Sequence, residues 1–130
     1  MIHSFPFITQ KQSILLLRCS VALVFFLHVL VRIINGTVEQ FAAAMNEKGL
    51  MYGSAIVWPL TAFEIAGSIL LALNYCTKKL CMGFIAILIM GIILIHAHLG
   101  WFVGEHGTGG VEYSFILIMA LLVVAARDNR

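Results

Sequence analysis

Apolar residues along this chain come in four unbroken stretches, and the polar residues collect between them. The stretches are approximately Ser13–Ile34, Ala55–Tyr75, Leu80–Leu99 and Gly110–Ala126. Each lies near the ~20 residues that carry an α-helix across bilayer hydrocarbon. Continuous apolar runs exclude a transmembrane β-barrel, whose strands alternate between lipid-facing and lumen-facing residues. The fold class expected is therefore all-α, an integral membrane four-helix bundle of up-down topology forming one domain over residues 1–130. The first stretch is too long for the apolar region of a signal peptide, and no small-x-small cleavage site follows it, so it is expected to remain as a helix.

The connections differ in character. Residues 35–54 are mixed and partly amphipathic, with Phe41, Ala42, Ala43, Ala44, Met45 and Leu50, and are expected to hold a short helix on the surface or over the bundle mouth. Cys76–Lys79 is a tight turn, which makes the second and third helices antiparallel neighbours. Gly100–Gly109 is glycine-rich and opens with Trp101 and Phe102, as suits a loop at the membrane interface. In an up-down model Lys11, Lys78, Lys79, Arg127 and Arg130 fall on one side and Lys48 on the other. The positive-inside rule then places both termini in the cytoplasm of a multi-pass protein of the cell membrane, with a bacterial inner membrane the natural setting.

Composition reinforces the pattern. The chain is 62% hydrophobic and only 11% charged, against about 25% charged residues in soluble domains, so lipid must solvate much of its surface. A net charge of +2 with scattered basic residues excludes a nucleic-acid partner. Three cysteines, Cys19, Cys76 and Cys81, have neither the number nor the spacing of a disulfide framework. A redox pair of Cys76 and Cys81 is disfavoured, because the spacing is not Cys-x-x-Cys.

Ionisable groups inside membrane helices are costly and demand a partner or a purpose. Here they are Arg18, His28 and Arg32 on the first helix, Glu64 on the second, His96 and His98 on the third, and Glu112 opening the fourth. At ~100° per residue, Arg18, His28 and Arg32 share an arc of roughly 80°, so one side of the first helix faces the bundle interior. With level helix ends, Arg18 and Glu64 come within reach of each other and are expected to form a buried pair. Each group also has a structural reading. Arg32 can snorkel to headgroups, Arg18 and Glu64 can simply orient two helices, and Glu112 can complement the helix dipole. His96 and His98 lie about 200° apart on a helix and cannot both face inward. No metal site is expected from them.

The residues also resemble the DoxX family, which includes the DoxD-like thiosulfate:quinone oxidoreductase subunit. The likeness rests on Arg18 and the run to Phe25-Phe26-Leu27-His28, Arg32 with Asn35-Gly36 and Phe41, and Gly49-Leu50. It continues through Phe63-Glu64-Ile65-Ala66-Gly67 with Leu70-Leu71, His96 before Gly100-Trp101-Phe102, and Gly110-Val111-Glu112-Tyr113. Val29 stands where the family often has glycine, Arg32 where it commonly has lysine, and the family's glycine-rich tail is absent. The resemblance implies membrane redox chemistry: quinol oxidases, sulfur-compound oxidation, and resistance to oxidants. It does not imply that every member is an enzyme.

The leading expectation is a membrane subunit of a redox system that handles a quinone or hydroquinone. Glu64, His96 and Arg18 are the expected catalytic group, with Glu64 and His96 exchanging protons and Arg18 fixing the charge of Glu64. His28, Arg32, Glu112, Tyr113 and Phe63 are the expected substrate contacts, with Phe25 and Phe26 adding apolar wall. No redox centre is encoded, so electrons require a partner protein or cofactor; haem held by His28 and His96 is disfavoured. The alternative is a non-catalytic membrane scaffold, whose polar cluster is internal glue and whose small residues Ala62/Ala66 and Gly83/Gly91 pack a partner helix.

Overall fold

The computed structural model describes residues 4–49, 52–94, 96–101 and 110–127. Among these residues five α-helices follow in order: α1 (Gln10–Ile34), α2 (Val38–Glu47), α3 (Gly53–Ala72), α4 (Thr77–Leu94) and α5 (Glu112–Ala126), with a 3-10 turn at His96–Leu99. No strand occurs among the described residues. Three helices, α1, α3 and α4, are long and apolar enough to cross a membrane, whereas α5 is a shorter apolar helix of 15 residues. At ~1.5 Å per residue α5 spans about 22 Å, short of the ~30 Å hydrocarbon core. Of the four expected spans, three are thus helices of crossing length and the fourth is a shorter apolar helix. The third expected span also ends early, because its last turn tightens into the 3-10 geometry.

Local chemistry sets the ends. Thr9 and Gln12 form a reciprocal capping box: Gln12 N donates to Thr9 Oγ1 at 3.2 Å, and Thr9 N donates to Gln12 Oε1 at 2.8 Å. This starts α1 three residues before the apolar run. Between α3 and α4, Asn74 and Cys76 adopt left-handed backbone at φ 61° and 50°, and Thr77 Oγ1 donates to Asn74 Oδ1 at 2.7 Å. That turn folds α4 back against α3.

α1 packs on α3 and α5, and α4 packs on the same two helices, closing a ring. Its main core joins Val21, Ala22 and Phe25 of α1 to Leu71, Leu80, Cys81, Phe84, Leu117, Leu121 and Val124. Cys81 is fully buried there, Cys19 and Cys76 are exposed, and no disulfide occurs among the described residues. The Phe84 ring stacks on Phe25 at 4.3 Å and meets Phe63 at 5.1 Å. The rings fit because Gly67 and Gly83 make room: a Cβ on Gly83 would lie 2.7 Å from Phe63, and one on Gly67 3.1 Å from Phe84. Val29 is fully buried in the interior.

α2 fulfils the expectation of a short amphipathic helix and settles its position. Its face Val38, Ala42 and Met45 buries against Val57 of α3 in a second, smaller core. The helices approach so closely that a Cβ on Gly53 would run into the Ala42 carbonyl oxygen. Gly53 N donates to Asn46 Oδ1 at 2.8 Å. Glu39 completes the clamp, accepting from Ser54 Oγ at 3.0 Å and from Trp58 Nε1 at 2.9 Å. The first turns of α3 therefore rise alongside α2, beyond the end of α1.

Candidate functional site

That stagger decides which charges meet. Arg32 lies two residues before α1 ends, and Glu64 eleven residues into α3. With level ends they would differ in height by about 13 Å at ~1.5 Å per residue. Because α3 starts higher, its Glu64 descends to the level of Arg32, and Arg32 Nη1 stands 3.4 Å from Glu64 Oε2. The expected Arg18–Glu64 pair is thereby corrected. The assumption of level ends was wrong, and the partner is the arginine expected to snorkel. Arg18 is half-buried further down α1, with its Nε buried and without a hydrogen-bond partner among the described residues.

The pair is well removed from the surface. Side-chain exposure is 13% for Arg32 and 5% for Glu64. Arg32 Cζ also lies 5.0 Å from the centre of the Phe41 ring, a cation–π contact from α2. Thr37 Oγ1 donates to the Arg32 carbonyl at 3.1 Å, securing the end of α1. Neither Arg32 Nη1 nor Glu64 Oε2 has a hydrogen-bond partner among the described residues. Buried charged groups ordinarily satisfy such capacity, so the pair retains donor and acceptor capacity towards its surroundings.

Those surroundings are a cavity of about 430 Å³ beneath α2. Phe25, Leu60, Leu88, Met90 and Leu94 supply apolar wall, Phe41 and Met45 of α2 form the roof, and Arg32 and Glu64 are its charged groups. His28, Thr37, Gln40 and Ser114 add polar atoms. Mostly apolar walls with a few converging polar groups are the usual make-up of a small-molecule site. A second, more open groove of about 510 Å³ runs between α1 and α5, lined by Val24, Leu27, Val31 and Tyr113, and shares His28, Arg32 and Thr37 with the cavity.

The expected site residues divide accordingly. Glu64, Arg32 and His28 line the cavity, and Tyr113 lines the groove. Arg18 lines neither. Phe63 turns into the core against Phe84, so its expected ring contact falls to Phe25 and Phe41. Phe26 lines neither space. Glu112 is exposed in the first turn of α5 and lines neither space. The side chains of His96 and His98 lie outside the described residues; their backbone forms the 3-10 turn two residues past Leu94. No group of three metal-ligating side chains occurs among the described residues.

Sequence reasoning passed over Thr37, Gln40 and Ser114. A signal existed for the first two, since both shortly precede Phe41 on a segment expected to lie on the surface or over the bundle mouth. Ser114 is a buried hydroxyl in the first turn of a helix that is apolar from Phe115 onward, beside Tyr113. For the scaffold alternative, Ala62 and Ala66 do face outwards, but Gly83 is spent on Phe63 and Gly91 lines the cavity.

No curated protein and no solved structure matches the chain. The DoxX family model matches residues 13–97, about two thirds of the sequence, and this stretch carries α1 from Ser13 onward, α2, α3 and α4, with both members of the buried ion pair. The Glu112-Tyr113 motif at the head of α5 falls beyond the match. With three helices able to span a bilayer and a family match over most of its length, the chain is a helical membrane protein and belongs to the DoxX family.

Proposed function

We propose that this protein is a membrane subunit of a redox system that binds the ring of a quinone or hydroquinone in the cavity beneath α2. The observation that carries this reading is the buried Arg32–Glu64 pair, 3.4 Å apart, with unused hydrogen-bonding capacity in a mostly apolar space. A quinone ring matches both halves of that description: a flat apolar body for Phe25, Phe41, Leu60 and Leu88, and an oxygen for the charged pair. Arg32 is suited to donate to that oxygen, taking the charge-setting role expected of Arg18, and Glu64 to exchange a proton with it. Oxidation of a hydroquinone releases two protons and two electrons. Glu64 takes one proton in this scheme, His96 the second, and the electrons pass to a redox partner protein. His28 and Thr37 position the ring beside Arg32.

We also propose four membrane crossings, with both termini in the cytoplasm. Lys11, Lys78, Lys79 and Arg127 all belong to the end of the bundle away from α2, so the cavity faces the outer half of the bilayer. Exposed Cys76 reports the orientation: in intact cells it should react with a membrane-permeant maleimide and resist an impermeant one. Labelling by the impermeant reagent would invert the topology.

The test of the function is binding of a tailless benzoquinone to the purified protein, followed by saturable quenching of tryptophan fluorescence. Glu64→Gln keeps the shape of the side chain and should weaken binding of the hydroquinone by about tenfold, a typical loss for one charge-assisted hydrogen bond. Absence of saturable binding by the unmodified protein would leave the scaffold alternative in its place.

A further inference from the structure

We infer that the ligand is a membrane-resident amphiphile that enters the cavity sideways from the bilayer, its apolar chain lying in the groove between α1 and α5. This rests on the proposed ring site and names the ligand class and route that serve it. Three observations support it. The groove and the cavity share His28, Arg32 and Thr37, so the two spaces adjoin at Arg32, while Glu64 belongs to the cavity alone. The groove's outer wall is apolar and faces outwards: Leu27, Val31 and Tyr113 are 47%, 51% and 50% exposed. On a membrane helix such exposure is exposure to lipid. Val24, Leu27, His28 and Val31 also recur at three- and four-residue spacing, which lines them up along one face of α1.

Size and polarity favour this route over one from water. At about 430 Å³ the cavity lies at the small end of the ~300–1,000 Å³ typical of ligand sites. It suits a substituted ring, and a long chain attached to that ring must leave through an opening. Arg32 and Thr37 are the half-buried polar residues of the groove, with His28 exposed beside them, and Leu27 and Val31 are its exposed apolar ones, so it offers an amphiphile a charged contact for its head and apolar contacts for its chain. A water-borne ligand would gain nothing from an apolar, lipid-facing wall. Displacing the chain from the groove into lipid forfeits packing but no hydrophobic transfer, because lipid is equally apolar. The groove therefore acts by giving the chain an exit while the ring is seated, and Tyr113 flanks that exit on α5.

The test compares a decyl-tailed benzoquinone with the same ring lacking the tail, each titrated into protein in lipid nanodiscs with empty discs subtracted. Val31→Phe fills the groove at an exposed position where a larger side chain meets lipid, and Leu27→Phe does so one turn away. Both variants should keep the melting temperature of the unmodified protein and bind the tailless ring as it does. Each should bind the tailed compound more weakly, by about tenfold or more, as steric exclusion from an apolar site commonly requires. Unchanged binding of the tailed compound by both variants would overturn the sideways route while leaving the ring site standing. Equal loss of both compounds would also overturn it, by showing that these positions shape the ring site. Failure of the unmodified protein to bind either compound would remove the ring site itself, and this inference with it.

Discussion

The two ends of the bundle are built on opposite plans. Away from α2 the helices close on a filled core, where Phe25, Phe63 and Phe84 interlock over Gly67 and Gly83. Beneath α2 the same helices part around a cavity and hold an arginine and a glutamate inside it. Phe25 belongs to both regions, stacking on Phe84 below and lining the cavity above. The aromatic layer therefore serves as the cavity's floor. In a bilayer the filled end draws its stability from close packing, since burial from lipid gains little. The hollow end gives up that packing for polar groups whose placement stability alone does not require.

The largest expected effect breaks the hollow end. Arg32→Leu or Glu64→Leu alone leaves an uncompensated charge in an apolar space and should cost about 3–5 kcal/mol, whereas the double leucine variant should recover most of that loss. A double-mutant cycle of thermal stability in mild detergent reads the coupling. Additive single effects would mean that the 3.4 Å pair contributes nothing as a pair.

The glycines sharpen the contrast between the ends. Gly83→Val drives methyl groups into the Phe63 ring and should cost about 1–3 kcal/mol, with ligand binding intact once the protein is folded. Gly53→Ala pushes against the Ala42 carbonyl and should lift α2 from α3, so its main effect should be weaker ligand binding. The reverse pattern would mean that α2 is not the roof of a binding site. A smaller effect comes from the clamp: Glu39→Ala removes the acceptors for Ser54 and Trp58 and should cost about 0.5–1.5 kcal/mol per bond, with a shift in Trp58 emission. The smallest is Glu112→Leu, worth about 0.3–1 kcal/mol if the carboxylate complements the start of α5, while Glu112→Gln keeps part of that. Equal stability of the two variants would remove the role.

Much of this difference was legible in the sequence. Unbroken apolar runs gave the membrane helices, and the amphipathic segment after Asn35 gave a short helix, though not the choice between the surface and the bundle mouth. Arg32, His28 and Glu64 stood out because charge is rare in such helices. The pairing was not legible. It depends on α3 starting above the end of α1, which the contact between Gly53 and Ala42 imposes, and vertical offset leaves no periodic mark on either helix. Phe63 misled for a related reason: its neighbour Glu64 points into the cavity, but one residue along a helix is a turn of ~100°, enough to aim the ring at Phe84.

Native mass spectrometry of the unmodified protein and of the Arg32→Leu/Glu64→Leu double variant, both released from mild detergent, tests the central claim most directly. The double variant remains folded on this account, so it isolates the polar pair from the fold that carries it. The unmodified protein is expected to retain a quinone or hydroquinone, and the folded double variant to carry none. Equal quinone retention by the two proteins, or lipid alone on the unmodified one, would contradict a ring site built on Arg32 and Glu64.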